Sequence, residues 1–353
     1  MLKMCVAHMK LLAIDIGFVT QDILLFDEDK DVENCIKMVL PSPTYLMAEK
    51  IREAGRQRKD VFLSGGVMGG GHITRAVKEH IKMGLNVYAT PDAALTFKDD
   101  LEKVRKMGVH ITSTPPNGAV HLELSDLNIE MFERILSQVD EAVPPYMAVA
   151  VQDHGFSLGS NRDFRFSHLK KIIEEGGDIN KFVYFENIPS YLTRMKRIQE
   201  DVHPRKCVVM DTGPAAIFGC LVCDDISCED VSSAIVINVG NGHTLGASVV
   251  DGRVVGIFEH HTHLLSPRRI DELIDGLMNG ELSHEDIKAE GGHGAYILEN
   301  VDDAKIFATG PNRYLLRECT HEVSFPAPFG DMMLTGCFGL LKGASVKLGF
   351  DFP

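Results

Sequence analysis

Residues 11–27 read LLAIDIGFVTQDILLFD, two apolar runs joined by a short polar turn. Leu11 to Ile14 and Ile23 to Phe26 have strand composition, and Gly17 with Thr20, Gln21 and Asp22 supplies the turn between them. Asp15 is the anomaly. An ionised carboxylate at the end of a buried strand is costly without a partner, so Asp15 should face a cleft, a cation or several hydrogen-bond donors. A plain β-hairpin with a turn-capping carboxylate accounts for the same residues, so the decision rests on the remainder of the chain.

The pattern occurs a second time. Residues 232–262, SSAIVINVGNGHTLGASVVDGRVVGIFEHHT, hold three consecutive β-runs with tight Gly turns, and Asp251-Gly252 between apolar runs is a strong hairpin cue. AIDIGFVTQDILLFD and VINVGNGHTLGASVV each place a polar residue at a strand end, then a Gly turn, then a second apolar strand. Two such hairpins, each opening one half of the chain, indicate a duplicated architecture with a cleft between the copies. In that arrangement Asp15 faces a ligand gripped by both turns.

Between the hairpins, strands alternate with helices. PSPTYLMAEKIREAGRQR (41–58) predicts a turn and a helix from about Thr44, and residues 60–84 a strand, a Gly-rich turn and a helix. Further strands are expected in NVYATPDAALTF (86–97) and YMAVAVQDHG (146–155), and further helices over 98–108 and 128–140. This alternation implies an α/β domain with a largely parallel sheet. The charged stretch 156–206 reads as a helical insertion, and KCVVMDTGPAAIFGCLV (206–222) as strand, turn and a helix opening near Pro214. The meander is followed by a helix in RRIDELIDGLMNG (268–280). The expected division is a first lobe over 1–228, with the insertion at 156–206, and a second over 229–353.

Composition narrows the function classes. The 353 residues are 44% apolar, enough for two domains with real cores, and the formal net charge of −14 argues against a nucleic-acid surface. No run approaches the roughly 20 apolar residues that span a bilayer. The opening MLKMCVAHMK has neither the apolar core nor the cleavage site of a secretory signal. Eight unevenly spaced cysteines suit a reducing compartment, so a cytoplasmic location is expected.

The order of these motifs resembles the acetate and sugar kinase, heat-shock chaperone and actin superfamily of ATPases. AIDIGFVTQDILLFD is similar to its first phosphate loop, with Asp15, Gly17, Thr20 and Asp27 matching. NVGNGHTLGASVVDGRVVG is similar to the second, with Gly240, Gly242 and Thr244 matching and Asn238 where the family usually has Asp. VVMDTGPAAIFGCLV resembles the connecting segment, AKIFATGPNRYLL the adenosine loop, and FPAPFGDMMLTGCFGLLKGA the closing segment, whose small residues let the last helix pack. Through AVQDHG, MDTGPAA and EHHTHLL the chain more narrowly resembles an archaeal family labelled pyruvate formate-lyase activating enzyme. That label implies radical S-adenosylmethionine chemistry, which needs CxxxCxxC, a spacing absent from this sequence.

The resemblance implies an α/β protein of two ribonuclease-H-like (actin-like ATPase) lobes with an interlobe cleft, using ATP and Mg²⁺. Asp15 would organise the metal, while Gly17, Thr20 and Gln21, with Asn238, Gly240, Asn241, Gly242, His243 and Thr244, would hold phosphates. Gly310, Pro311 and Asn312 would approach the nucleoside. The physical reason is independent of the resemblance: phosphoryl oxygens need backbone N–H donors at close range, which Gly turns allow. Asp22 stands where related loops often carry Lys, and an acid near phosphates is unfavourable without a cation.

Other residues carry chemistry in outline. Asp153 and His154 end an apolar strand, where a carboxylate beside an imidazole suits a general base, or a hydrogen-bonded strand terminus. SGGVMGGGH (64–72) precedes a helix and suits either tight packing or an anion site, without the Lys-Ser/Thr ending of a P-loop. Glu259, His260, His261 and His263 resemble a metal cluster, yet strand alternation sends His260 to the face opposite His261 and His263. Cys220, Cys223 and Cys228 suit small buried positions or an Fe–S or Zn site; some ATPases of the superfamily bridge a homodimer with such a cluster. Three functions stay open: a kinase or ATPase with an unknown acceptor, a nucleotide-gated activator of a metalloenzyme, and a non-catalytic nucleotide-binding module.

Overall fold

The computed structural model describes residues 8–222 and 232–352. The first hairpin forms as β1 (Lys10–Ile16) and β2 (Thr20–Asp27), and β3 (Ile36–Pro41) extends it to an antiparallel meander. Helix α1 (Pro43–Arg56) begins at an N-cap, Ser42, whose hydroxyl accepts from the Tyr45 amide, with Pro43 at the first helical position. The chain then builds β4 (Val61–Gly65), α2 (Gly71–Lys82), β5 (Val87–Ala89), α3 (Pro91–Ala94), α4 (Leu101–Lys106), β6 (Val109–Ile111) and β7 (Val120–Leu124). Those four strands pair only with one another, all parallel, in the order β6-β5-β4-β7.

After α5 (Ile129–Ser137), β8 (Tyr146–Val151) returns to the first sheet and runs parallel to β1. Helices α6 (Asn161–Glu174) and α7 (Ile179–Phe182), the two-residue β9 (Val183–Tyr184) and α8 (Thr193–Val202) lead to β10 (Lys206–Met210) and α9 (Thr212–Cys220). The first sheet is ordered β3-β2-β1-β8-β10-β9. Residues 156–206 are thus mostly helical and belong to this sheet's layer, whereas the segment with a sheet of its own is 61–124.

The second half repeats the plan. Strands β11 (Ser233–Val239), β12 (His243–Val250) and β13 (Arg253–His261) form an antiparallel meander, followed by α10 (Pro267–Asn279), α11 (His284–Ala289) and β14 (Gly294–Ile297). Then β15 (Lys305–Thr309) runs parallel to β11, β16 (Val323–Ser324) runs parallel to β15, and α12 (Thr335–Leu348) closes the chain. Leaving aside the antiparallel edge strands β9 and β14, both sheets have the order third, second, first, fourth, fifth. The first three strands are antiparallel and the last two parallel to the first. That topology, present twice, is the ribonuclease-H-like arrangement in two lobes.

Strand alternation decides what each face buries. Leu11 and Ala13 of β1 face one core with α9 and α12, while Leu12, Ile14 and Ile16 face another with α5 and α8. The first of these cores is shared: it also takes Val236 and Leu245 from the second sheet, and Phe218 and Phe338 from the two helices. The close crossing of α9 and α12 depends on small residues. A side chain at Gly219 would overlap the Thr335 carbonyl, and one at Gly339 the Ala215 carbonyl. No helix among the described residues is long and apolar enough to cross a membrane.

Candidate functional site

The two hairpin turns are built alike. In the first, the Gly17 amide donates to the Thr20 carbonyl at 2.9 Å; in the second, the Gly240 amide donates to the His243 carbonyl at 3.0 Å. Asp15 pairs across its ladder with Asp22, and Asn238 pairs with Leu245 at the equivalent place. Each turn is braced by the residue that follows its third strand. Ser42 Oγ donates to the Phe18 carbonyl at 3.0 Å, and Thr262 Oγ1 donates to the Gly240 carbonyl at 2.8 Å.

Both turns open into one cavity of about 400 Å³. Asp15, Gly17, Phe18, Thr20 and Asp22 line it from one lobe, and Asn238, Gly240, Asn241, Gly242, His243, Gly310 and Pro311 from the other. Asp153 and His154 also line it, as does the Gly-rich stretch Val67–Gly71. The exposed ring of Phe18 stacks on His72, centroids 4.0 Å apart, so the first turn packs against the start of α2. Gly310 takes φ +91°, and a side chain there would collide with the Val239 carbonyl and the side-chain oxygen of Asn238.

Three expected contacts lie just outside. Gln21 and Thr244 alternate with cavity-facing neighbours and therefore point into the protein. Gln21 Nε2 donates to the Pro41 carbonyl at 3.0 Å, and Thr244 Oγ1 bonds Thr262 Oγ1 at 3.0 Å. Asn312 ties the loop after β15 to the second turn, its Nδ2 donating to the Gly240 carbonyl at 3.1 Å. Asp27, matched in the same motif, sits at the far end of β2 in ion pairs with Lys30 and Lys10.

Asp15 and Asp22 set the electrostatics of the cavity floor. Each has a buried Oδ1 with no hydrogen-bond partner. Burial pushes Asp15 well above the usual carboxylate range, and the charges of Asp22 and Asp211 add to this. Burial likewise lifts Asp22 to about 7, against a hydrogen bond from Thr20 and with help from Asp331. Asp15 also abuts Gly336 at the start of α12, where any side chain would overlap Oδ2. Two facing carboxylates with unsatisfied oxygens fit a hard divalent cation, which needs one or two carboxylates and keeps several waters.

Asp153 is differently employed. Its Oδ1 accepts from the Gly155 amide at 2.8 Å and its Oδ2 from the Met195 amide at 3.0 Å, so it fixes the strand exit and the first turn of α8. His154 is held neutral, burial lowering it to about 3.

The sequence reading missed a buried ion cluster joining the lobes. Arg165 of α6 donates two bonds to Asp211, at 2.6 and 2.9 Å, and one at 2.7 Å to Glu259 of β13. Gln152 Nε2 donates to the other Glu259 oxygen at 2.5 Å. Although burial opposes it, the charge of Arg165 holds Glu259 well below the usual carboxylate range. A charged residue on the buried face of α6 is the one local signal for this cluster.

Of the cysteine group, Cys220 is buried in α9 at the shared core, and Cys223 and Cys228 lie outside the described residues. Of the histidine group, the rings of His261 and His263 are 5.6 Å apart, and the buried His260 lies near Glu290.

Residues 68–315 match the family described as "Putative pyruvate format-lyase activating enzyme (DUF1786)". No curated protein matches the chain. Among solved structures it is similar to the ethanolamine utilization protein EutJ from Carboxydothermus hydrogenoformans, at 10% identity and TM-score 0.35, over 94% of this chain and 89% of that one. It is similar to MreB5 of Spiroplasma citri bound to ADP, at 9% identity and TM-score 0.38, over 96% and 98%. A third likeness, at 9% identity and TM-score 0.34 over 98% and 99%, is to the activator of the 2-hydroxyisocaproyl-CoA dehydratase from Clostridium difficile with bound ADPNP.

Proposed function

The chain belongs to the DUF1786 family, and we propose that its interlobe cleft binds Mg-ATP and that it acts as a phosphotransferase or ATPase. One observation carries the reading: the two repeated Gly turns and two buried carboxylates with unpartnered oxygens line the same cavity. Phosphates would lie between the turns at Gly17–Thr20 and Gly240–His243, on turn N–H groups other than those of Gly17 and Gly240, which already donate within the turns. Gly310 and Pro311 would meet the nucleoside, with Asn312 holding that loop to the second turn.

Asp15 and Asp22 would hold Mg²⁺, which when bound neutralises phosphate charge. The chain's own work is then to position groups and exclude water. Asp153, with both oxygens accepting backbone amides, acts as a positioning residue for α8 and the 153–155 turn. His154, neutral and enclosed, supports that turn. The link from Arg165 to Glu259 holds the lobes at the spacing that both turns require.

The commitment of Asp153 favours a second reading, in which the acceptor is water and the output is a change in lobe spacing sensed by a partner protein. Titration calorimetry with ATP and Mg²⁺ tests the first step. Binding is expected for the natural protein, with at least tenfold loss of Mg²⁺-dependent affinity in Asp15→Asn. Metal-independent binding of equal strength in both proteins refutes the assignment. Product analysis over a panel of small metabolites then separates a kinase, which phosphorylates one of them, from an ATPase, which yields ADP and inorganic phosphate alone.

A further inference from the structure

Behind the second turn, His243, His261 and His293 converge. His243 and His261 are direct partners across the β12–β13 ladder. His293 precedes β14 and is anchored by its amide, which donates to the Glu259 carbonyl at 2.8 Å. The ring centroids stand 4.8, 4.9 and 5.0 Å apart, and each ring offers a nitrogen within 4.8 Å of the other two. His154 lies against the same group, 5.5 Å from His293.

We propose that His243, His261 and His293 bind one divalent transition-metal ion of the zinc class, at a site distinct from the carboxylate pair in the cleft. A metal–nitrogen distance of about 2.0–2.1 Å puts tetrahedral ligands about 3.4 Å apart, so the rings need to close by roughly an ångström. Three imidazoles suit zinc, copper, nickel or iron and not magnesium or calcium, and they leave a fourth position open.

Two further observations point to a ligand. His293 is only 2% exposed, yet its Nδ1 has no partner, an unfavourable state that metal coordination relieves. The adjoining buried cluster holds one cation, Arg165, against two carboxylates, Asp211 and Glu259, leaving an excess negative charge beside the rings. The opposing charge comes from Arg162, whose Nη2 reaches His261 Nε2 at 3.2 Å from the solvent side. An incoming metal takes the other nitrogen of His261 or displaces that guanidinium.

The test uses Co²⁺ as probe, on full-length protein stripped with a chelator and kept in excess Mg²⁺ to occupy carboxylate sites. Equilibrium dialysis should show one Co²⁺ per chain, with the intense visible absorption of four-coordinate cobalt, abolished by one equivalent of Zn²⁺. His261→Ala and His293→Gln should each weaken binding by at least tenfold, while His263→Ala leaves it unchanged; circular dichroism verifies folding. Sub-stoichiometric uptake, a weak six-coordinate spectrum, or equal binding in all variants overturns the proposal. If the substitutions unfold the chain, the spectrum and stoichiometry of the natural protein still decide. Neither readout depends on nucleotide binding.

Discussion

Replacing Asp22 by Asn isolates the electrostatic strain at the cavity floor. The folded Asp22 carboxyl titrates at about 7, against an ordinary value near 3.8, because burial penalises its charged form. Below the ordinary value the residue is protonated in both folded and unfolded chains and costs nothing. As pH rises from about 4 to about 7 the unfolded chain releases this proton while the folded one retains it, so stability falls. Above the folded value the cost is complete, and the rise corresponds to an upper limit of about 4 kcal/mol. Asn cannot ionise, so Asp22→Asn should match the natural protein at pH 4 and exceed it at pH 8. For a chain of this length unfolding as one unit, that is a gain of about 5 °C in melting temperature. Asp15 remains in both proteins, but losing the Asp22 charge also relieves part of its upward shift, so the difference between their pH profiles reports the coupled pair. Scanning calorimetry from pH 4 to 8, with and without Mg²⁺, is the assay. Added Mg²⁺ should recover much of the deficit of the natural protein at pH 8 and little in the variant. A difference that is independent of pH, or a variant less stable at pH 8, refutes the reasoning.

Two further outcomes are expected. Gly339→Ala forces a methyl group against the Ala215 carbonyl where α9 and α12 cross, and backbone cannot step aside as a side chain can. A loss of about 3 kcal/mol in urea unfolding is expected, and an unchanged midpoint contradicts the close crossing. Arg165→Met leaves Asp211 and Glu259 buried without their cation, at a cost of about 3–5 kcal/mol. Because Arg165 holds Glu259 ionised, the loss should be greater at pH 8 than at pH 5; equal losses in thermal melts at the two values count against the assignment.

Much of the cleft was legible because its key elements are local. A Gly turn between two alternating runs dictates a hairpin whatever surrounds it. The likeness of residues 13–27 to residues 236–250 therefore survived into matching hydrogen bonds at Gly17 and Gly240. The polar strand ends at Asp15, Asn238 and Asp153 all line the cavity for the same reason, since strand ends sit at a sheet margin. Alternation also separates Thr20 and Asp22, which line the cavity, from Gln21, which does not, and the two-residue period of the strand alone carries that distinction.

The repeated hairpin, the alternation of strands and helices, and the small residues of the last helix could all be read from the chain locally. Each follows from interactions within a few positions: side-chain periodicity, turn chemistry and close approach at Gly. Tertiary structure alone decided that β4–β7 leave the first sheet for one of their own, because strand composition does not name a pairing partner. It alone brought Arg165 to Glu259 and His293 to His243, across 94 and 50 positions of chain. Such meetings are set by which apolar faces are buried together, and the polar groups carried on those faces are placed by that packing.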